Sequence, residues 1–309
     1  MNRHGIVSSR ESIIAVVKVP SSVAHPLGPP RIDAQGNITV ETMLQQPTRI
    51  TRMIMDITRE RFISDRIFAS GGGVTGGAVL FDEVQANEKY LTRDVEAIAP
   101  AGEFPIVTSE QLVPNAAVVE KWGGKTFITD EARDRNDSAQ FTKQIRQLSN
   151  TIVRKLNQRA MNVLTAALAD GSRNVVGNNW STYNPEVSAP ALSPAYDFGR
   201  ANMQGDNEEF GVDYTLWLVN PVQALALTAI YGPTLTGPGF PTIYSSPRVP
   251  VNTAYAVAER QVGQQRIEKP LGTETWREPG TERTWVQASV RPLWFVDNKF
   301  AILRFTGLG

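Results

Sequence analysis

Apolar residues return at every third or fourth position through the stretch DSAQFTKQIRQLSNTIVRKLNQRAMNVLTAALAD, residues 137–170. Phe141, Ile145, Leu148, Ile152, Leu156, Val163 and Ala167 mark the stripe, with Arg159 and Ala160 at the intervening turn. This spacing predicts one amphipathic helix of about 30 residues, roughly 45–50 Å long at 1.5 Å per residue. Asp137 is the expected N-cap and Gly171 the expected stop. A single globular domain rarely needs such a rod. A second helical period runs over residues 48–68, with Ile50, Ile54, Ile57, Arg61 and Ile67 near one face and charges on much of the rest.

Elsewhere the period shortens. Residues 78–129 read as strands with turns: VLFDEV and LTRDVEAIA run toward the turn APAGEFP, then AVVEKW, Gly123-Gly124 and KTFITDEA lead back. This stretch has too few apolar anchors for a core of its own. It is expected to project and be completed by a neighbour, an ordinary sheet layer being the alternative. From Val187 onward helices and strands alternate. SPAYDFGRANMQ is a helix capped by Ser193 with Pro194 at its first position, and YTLWLV (214–219) is a buried strand. Asn220-Pro221 opens the next helix by the same device, and YGPTLTGPGFPTIYSSPRVP reads as a long irregular loop. NTAYAVAE is a strand, and RTWVQASVRPLWFVDNKFAILRFTG reads as two strands joined by a turn at Asp297-Asn298. Residues 1–47, broken by Pro26, Pro29 and Pro30, read as an arm that crosses surfaces.

Composition narrows the chemistry. The 309 residues leave room for two or three packed units, and the formal net charge is zero. Attraction to nucleic acid or anionic membrane must therefore be local. No apolar run approaches the roughly 20 residues that span a bilayer, and the N-terminal apolar stretch is interrupted by Lys18, so neither membrane span nor secretory signal is expected. Cysteine is absent, which removes disulfides, thiolate nucleophiles and Cys-type zinc sites. Only two histidines occur, His4 and His25, both near the N-terminus, so a Ser-His-Asp triad or a His-rich metal site is nearly excluded by counting. No catalytic residue, metal site or cofactor is expected.

The stretch FASGGGVTGGAVLFD poses a separate question, because Gly71, Gly72, Gly73, Gly76 and Gly77 fall within seven positions. A phosphate-cradling loop needs a strand, then GxxxxGK[ST], then a helix. Here Ala78-Val79 stand where the lysine and hydroxyl belong, and helix precedes while strand follows. A dinucleotide fingerprint forced onto Gly71, Gly73 and Gly76 fails on the same order. Glycine's backbone freedom makes a flexible joint the better reading.

The long helix carries a charge asymmetry. Between Ser138 and Ala169 lie five basic residues, Lys143, Arg146, Arg154, Lys155 and Arg159, and no acidic one. A solvated face is the plain explanation, and a face turned toward a polyanion such as packed DNA is the functional one. Carboxylates sit as sequence neighbours, Asp82-Glu83, Asp130-Glu131 and Glu208-Glu209, whose side chains point apart and form no evident acid/base couple. Trp217, Trp276, Trp285 and Trp294 read as core or interface anchors.

The order of these parts resembles the major capsid proteins of tailed bacteriophages, the Hong Kong 97-type fold. An arm is followed by a projecting β-loop and by GGKTFITDEARDRND, which runs directly into the long helix. An αβ region with DYTLWLVNPVQALAL comes next, and the chain closes on FAILRFTGLG. The resemblance covers about Thr48 to Gly309 and rests on order and spacing rather than on any single motif. It implies an α+β fold divided as follows: arm, 1–47; helix and glycine joint, 48–78; extended β-loop, 79–119; peripheral domain with the spine helix, 120–184; axial domain, 185–277; return strands of the peripheral domain, 278–309. It further implies that Lys143, Arg146, Arg154, Lys155 and Arg159 face packaged DNA. The five glycines would be the flexible entry to the extended loop, which lies over an adjacent subunit.

The function implied is structural: hexamers and pentamers of an icosahedral shell around double-stranded DNA, located in the virion capsid and assembled in the host cytoplasm. Expected partners are further copies of the chain, a separate scaffolding protein, a portal and a decoration protein. Some relatives crosslink a loop lysine to an asparagine; Lys89 lies in the loop, but no asparagine partner or catalytic carboxylate is evident and crosslinking is not expected. An encapsulin-type nanocompartment shares the fold and is the alternative. A soluble hydrolase or nucleotide enzyme is the alternative of another class, opposed by the histidine and cysteine counts and the broken glycine motif.

Overall fold

The longest helix sets the frame of the computed structural model, which describes residues 39–58, 62–90, 95, 97–98, 100, 102–108, 114–237 and 239–309. The arm reading of residues 1–38 and most of LTRDVEAIA lie outside the described residues. Three short helices come first: α1 (Val40–Leu44), α2 (Pro47–Thr58) and α3 (Ser64–Ile67). Strands β1 (Ala69–Gly73), β2 (Ala78–Asp82), β3 (Pro114–Val118) and β4 (Trp122–Thr129) follow, then α4 (Asp130–Asp134) and the spine helix α5 (Ser138–Ala167). The remainder runs β5 (Asn174–Val176), α6 (Pro194–Glu208), β6 (Leu216–Val219), α7 (Pro221–Tyr231), β7 (Thr242–Ser245), β8 (Thr253–Val257), β9 (Gly263–Glu278), β10 (Arg283–Val296) and β11 (Ile302–Thr306).

The caps fall where the sequence places them. The Asp137 carboxylate accepts from the Gln140 N–H at 2.9 Å, Ser193 Oγ from Tyr196 at 3.2 Å, and Asn220 Oδ1 from Val222 at 3.1 Å. Each satisfies a backbone donor that the first helical turn leaves free. At the other end α5 stops at Ala167 with Leu168 as its C-cap, and Gly171, the expected stop, comes three residues later with φ +73°, turning the chain toward β5. The buried stripe of α5 departs from expectation in its second half. Phe141, Ile145, Ile152 and Leu156 are buried as predicted, but the line continues through Ala160 and Leu164, leaving Leu148, Val163 and Ala167 half-covered. From Ile152 the buried line advances four residues at a time, more than the 3.6 of one turn, so the covered face winds around the rod and leaves the three-four positions behind.

Two sheets flank this helix. The first has the order β1-β9-β10-β4, with β10 antiparallel to both neighbours and β1 parallel to β9. Helices α2 and α5 pack on it. Along β10, Thr284, Val286 and Ala288 are buried while Arg283, Trp285 and Gln287 are half-exposed, the alternation of a sheet covered on one face. The second sheet has the order β5-β11-β8-β6-β7. Every residue of β6 and β8 is buried, as in strands covered on both faces. Each large apolar side chain so enclosed stabilises the fold by about 1.5–3 kcal/mol.

The structure changes or extends these readings in four places. The helix predicted over 48–68 is two helices: α2 ends at Thr58, and Phe68 has already turned to extended backbone. The Gly/Pro/Ser loop after Tyr231 contains β7, which pairs parallel with β6, because Ile243 and Tyr244 offer side chains to the core that composition alone masks. The two C-terminal strands are joined across Asp297-Asn298 as read, and they enter different sheets: β10 joins the first and β11 lies between β5 and β8 in the second. The 16-residue β9 was not foreseen, since its exposed edge mixes Glu, Lys, Thr and Arg without a clear alternation. Strand β9 thus belongs to the first sheet, and the residues after it contribute β10 to the first sheet and β11 to the second.

Candidate assembly and nucleic-acid-facing surfaces

Strands β2 and β3 pair in antiparallel register over five residues each and form a ribbon standing off the first sheet. One face is anchored: Val79, Phe81, Ala117 and Val119 pack on Val74, Leu293 and Phe295, with Phe81 and Phe295 stacked at 4.4 Å. The Val84 N–H donates to the Asp297 carbonyl at 2.7 Å, tying the ribbon root to the turn after β10. The opposite face carries Leu80 and Val118, 73% and 67% exposed, and farther along the loop Phe104 and Ile106 are 79% and 82% exposed. Apolar groups this exposed on one projecting segment mark an interaction surface.

At the glycine stretch the structure divides the five candidates. Gly71, Gly72 and Gly73 lie within β1, which pairs with Gln264 to Ile267 through a bulge. Strand β9 extends far enough to offer this part of the stretch a backbone partner. Gly76 and Gly77 lie in the turn to β2 with φ +89° and +76°, and a side chain at either would meet open space. The turn therefore asks for glycine on backbone grounds alone.

The charges on α5 also separate. Lys143, Arg146, Arg154 and Lys155 are exposed, and none has an ion-pair partner among the described residues. Lys143 and Arg154, with Asn150 between them, share one face across about three turns. Arg159 differs: it is half-buried and donates to the Glu120 carboxylate at 3.0 and 2.5 Å. Its charge is matched within the chain.

The neighbouring carboxylates do point apart, each to a separate task. Asp130, at the start of α4, accepts from Arg277 and pairs with Arg133 at 3.1 Å. The hydrogen bond from Arg277, and then the charges of both arginines, hold its carboxyl below the usual carboxylate range. Glu208 pairs with the buried Arg173, whereas Glu209, in the left-handed conformation at the end of α6, turns to the loop. There it pairs with Lys89 at 2.9 Å and accepts from the Tyr90 hydroxyl. Those hydrogen bonds lower the Glu209 pKa and raise those of Lys89 and Tyr90.

Two buried polar nodes escaped the sequence reading. Arg173 donates to the carbonyls of Ile302 and Phe300 and to the Tyr214 hydroxyl, at 3.2, 2.9 and 2.8 Å. Asp197 accepts from the Asn178 N–H at 2.9 Å and from Trp180 Nε1 at 2.8 Å, folding the GNNW loop onto α6. A charged residue at an apolar position of a helical period was the available signal for Asp197. Arg173 sits in a turn and carries none. Of the tryptophans taken as anchors, Trp217 and Trp294 are buried, while Trp276 and Trp285 stack at 6.3 Å on the open face of the first sheet.

Residues 113–305, more than half of the chain, match the phage capsid protein family. The chain belongs to that family. As a capsid protein it is a structural component of a shell, and by family it is not an enzyme. No curated protein matches it. Solved structures bear out the Hong Kong 97-type α+β fold. The capsid of cyanophage P-SCSP1u is 11% identical, with 79% of this chain and 88% of that one covered at TM-score 0.57. A chain of Mycobacterium phage Bobi is 10% identical over 78% and 88% at the same score. The virus-like particle from Pyrococcus furiosus is 12% identical, covering 84% of the capsid protein and 98% of its own chain, also at 0.57.

Proposed function

We propose that this capsid protein assembles into hexamers and pentamers of an icosahedral shell that encloses double-stranded DNA, built in the host cytoplasm. The observation that carries the reading is the ribbon, rooted in its own core on one face and presenting large exposed apolar groups on the other. Such a surface is completed by another copy, and repeated heterologous contacts of this kind close into rings. Subunit contacts should then bury well over the roughly 1,600 Å² of an ordinary binary interface. Gly76 and Gly77 would set the angle of the ribbon, and Lys143, Arg146, Arg154 and Lys155 would face the DNA as non-specific counter-charge. A scaffolding protein, a portal and a decoration protein complete the proposed set of partners.

Likeness to the Pyrococcus furiosus particle, which the chain matches nearly end to end, favours a second reading as a compartment shell with protein contents. Electron microscopy of purified particles, with light scattering and nucleic-acid assay of their contents, separates the two. Closed shells that retain nuclease-protected DNA are expected. Shells filled with protein alone would support the second reading, and a chain that stays monomeric even with co-expressed scaffold would overturn both.

A further inference from the structure

An apolar groove of about 460 Å³ opens between the C-terminal half of α2, the spine helix and the β9–β10 pair. Its walls are Phe62, Ile152, Leu156, Leu271, Val290 and Trp294. Pro270 and Pro292 line it as well, and neither has a backbone N–H to offer. A ligand is therefore held by side-chain burial and not by adding a strand. The floor is fixed, since Trp294 Nε1 donates to Gln265 Oε1 at 2.8 Å. Asp56 and Asp65 stand at the rim with Arg52.

We propose that this groove is the docking site of the segment Ile13–Val19 of the same chain. Residues 1–38 precede the first described residue, Thr39, and contain one concentrated apolar run, Ile13-Ile14-Ala15-Val16-Val17-Lys18-Val19. A run so rich in β-branched residues is an aggregation hazard when left uncovered. In extended form Ile13, Ala15, Val17 and Val19 share one face, and Lys18 falls on the other. That arrangement seats an apolar edge in the groove and leaves the ammonium for the rim carboxylates Asp56 and Asp65.

Reach permits it. Thr39 begins α1, which packs on α2, and α2 leads directly to the groove. The 12 residues of α2 span about 18 Å, whereas the 20 residues from Val19 to Thr39 can extend over roughly 65 Å. Covalent attachment through 20 residues makes docking of the chain's own segment an intramolecular event, which a separate copy must match by bulk concentration. This favours the same copy over a second one. The inference does not depend on what the shell encloses.

The absence of native cysteine makes the test direct. Full-length unassembled chain carrying L271C with either I13C or V17C is oxidised and read by non-reducing electrophoresis and peptide mass spectrometry. The control pairs the same N-terminal substitutions with V251C, a position 58% exposed. An intrachain disulfide to L271C forming about ten-fold faster than the control is the expected result. Equal rates, or a disulfide joining two chains, would overturn the assignment, the latter in favour of a second copy. Should these variants fail to fold, deletion of residues 1–20 supplies the second measurement. Amide exchange over residues 52–56 and 265–271 should then rise at least several-fold, and unchanged exchange would overturn the proposal.

Discussion

Tyr214 accepts a hydrogen bond from Arg173 at 2.8 Å and donates one to the Phe300 carbonyl at 2.7 Å. The two side chains thereby join the turn before β5, the approach to β6 and the approach to β11. Removing the guanidinium takes a donor from the Ile302 carbonyl, leaves the Phe300 carbonyl with Tyr214 alone, and strips Glu208 of its buried counter-charge. Arg173→Ala should destabilise the unassembled chain by about 3–5 kcal/mol, the range for breaking a buried pair, against about 1 kcal/mol for Tyr214→Phe. Urea unfolding followed by tryptophan fluorescence checks the order.

The same tyrosine sets an alkaline limit. Burial pushes its pKa up to about 12, so the folded state keeps the neutral phenol when the unfolded chain has begun to ionise. The stability it contributes is complete below about pH 10 and is lost as pH rises toward 12. Tyr214→Phe should abolish this part of the alkaline slope in a series of urea melts.

At the other extreme, Asp130 is held ionised by Arg277 and Arg133. Its folded pKa lies below the unfolded value of about 3.9, so its contribution is present above that pH and disappears as pH falls through the folded value. Asp130→Asn should lower stability at pH 7 and flatten the acid limb below pH 4. An acid limb identical to that of the parent chain would remove Asp130 from the account.

Gly263 is required by contact and not by dihedral angle. A Cβ there would stand 2.0 Å from the Phe295 carbonyl oxygen, where β9 begins against the end of β10. Gly263→Ala should destabilise by about 1–3 kcal/mol, as overpacking does, whereas Gly280→Ala, which meets open space, should change little. Thermal melts of the pair give the comparison.

Two surface tests address the loop and the spine. Glu209→Gln removes the anion that Lys89 and Tyr90 share, and amide exchange over residues 86–90 should rise while the core is unchanged. Replacing Lys143, Arg146, Arg154 and Lys155 together by glutamine should spare shell assembly and reduce retained DNA. Arg159→Gln should instead lower stability, because it frees Glu120. Equal DNA retention in the fourfold variant would count against the interior-facing assignment.

How much of this was legible in the sequence depends on where the determining information lies. Local rules placed α5, α6, α7 and their caps, since Asp137, Ser193 and Asn220 act within three residues of themselves. The drift to Ala160 and Leu164 depends on helical geometry summed over many turns. Partnering between distant strands was not legible. Nothing near β10 or β11 states that one pairs with Thr126 and the other with Ala254. The ion pair that separates Arg159 from the other spine cations is likewise made by Glu120, 39 residues away in sequence. The exposed cations are recognisable from spacing, but which of them is already neutralised is a tertiary fact.

The separation of β10 from β11 has a consequence in time. Strand β10 lies between β9 and β4, and β11 lies between β8 and β5, so each fills an interior place in its sheet. A ribosome adding roughly 5–20 residues per second delivers both strands last. Until residue 296 has emerged the first sheet lacks β10 and the ribbon root lacks Leu293 and Phe295, and until residue 306 has emerged the second sheet lacks β11. Nascent chains are thereby kept from presenting a finished assembly surface to one another, and the shell is supplied only with subunits whose synthesis has run through both sheets.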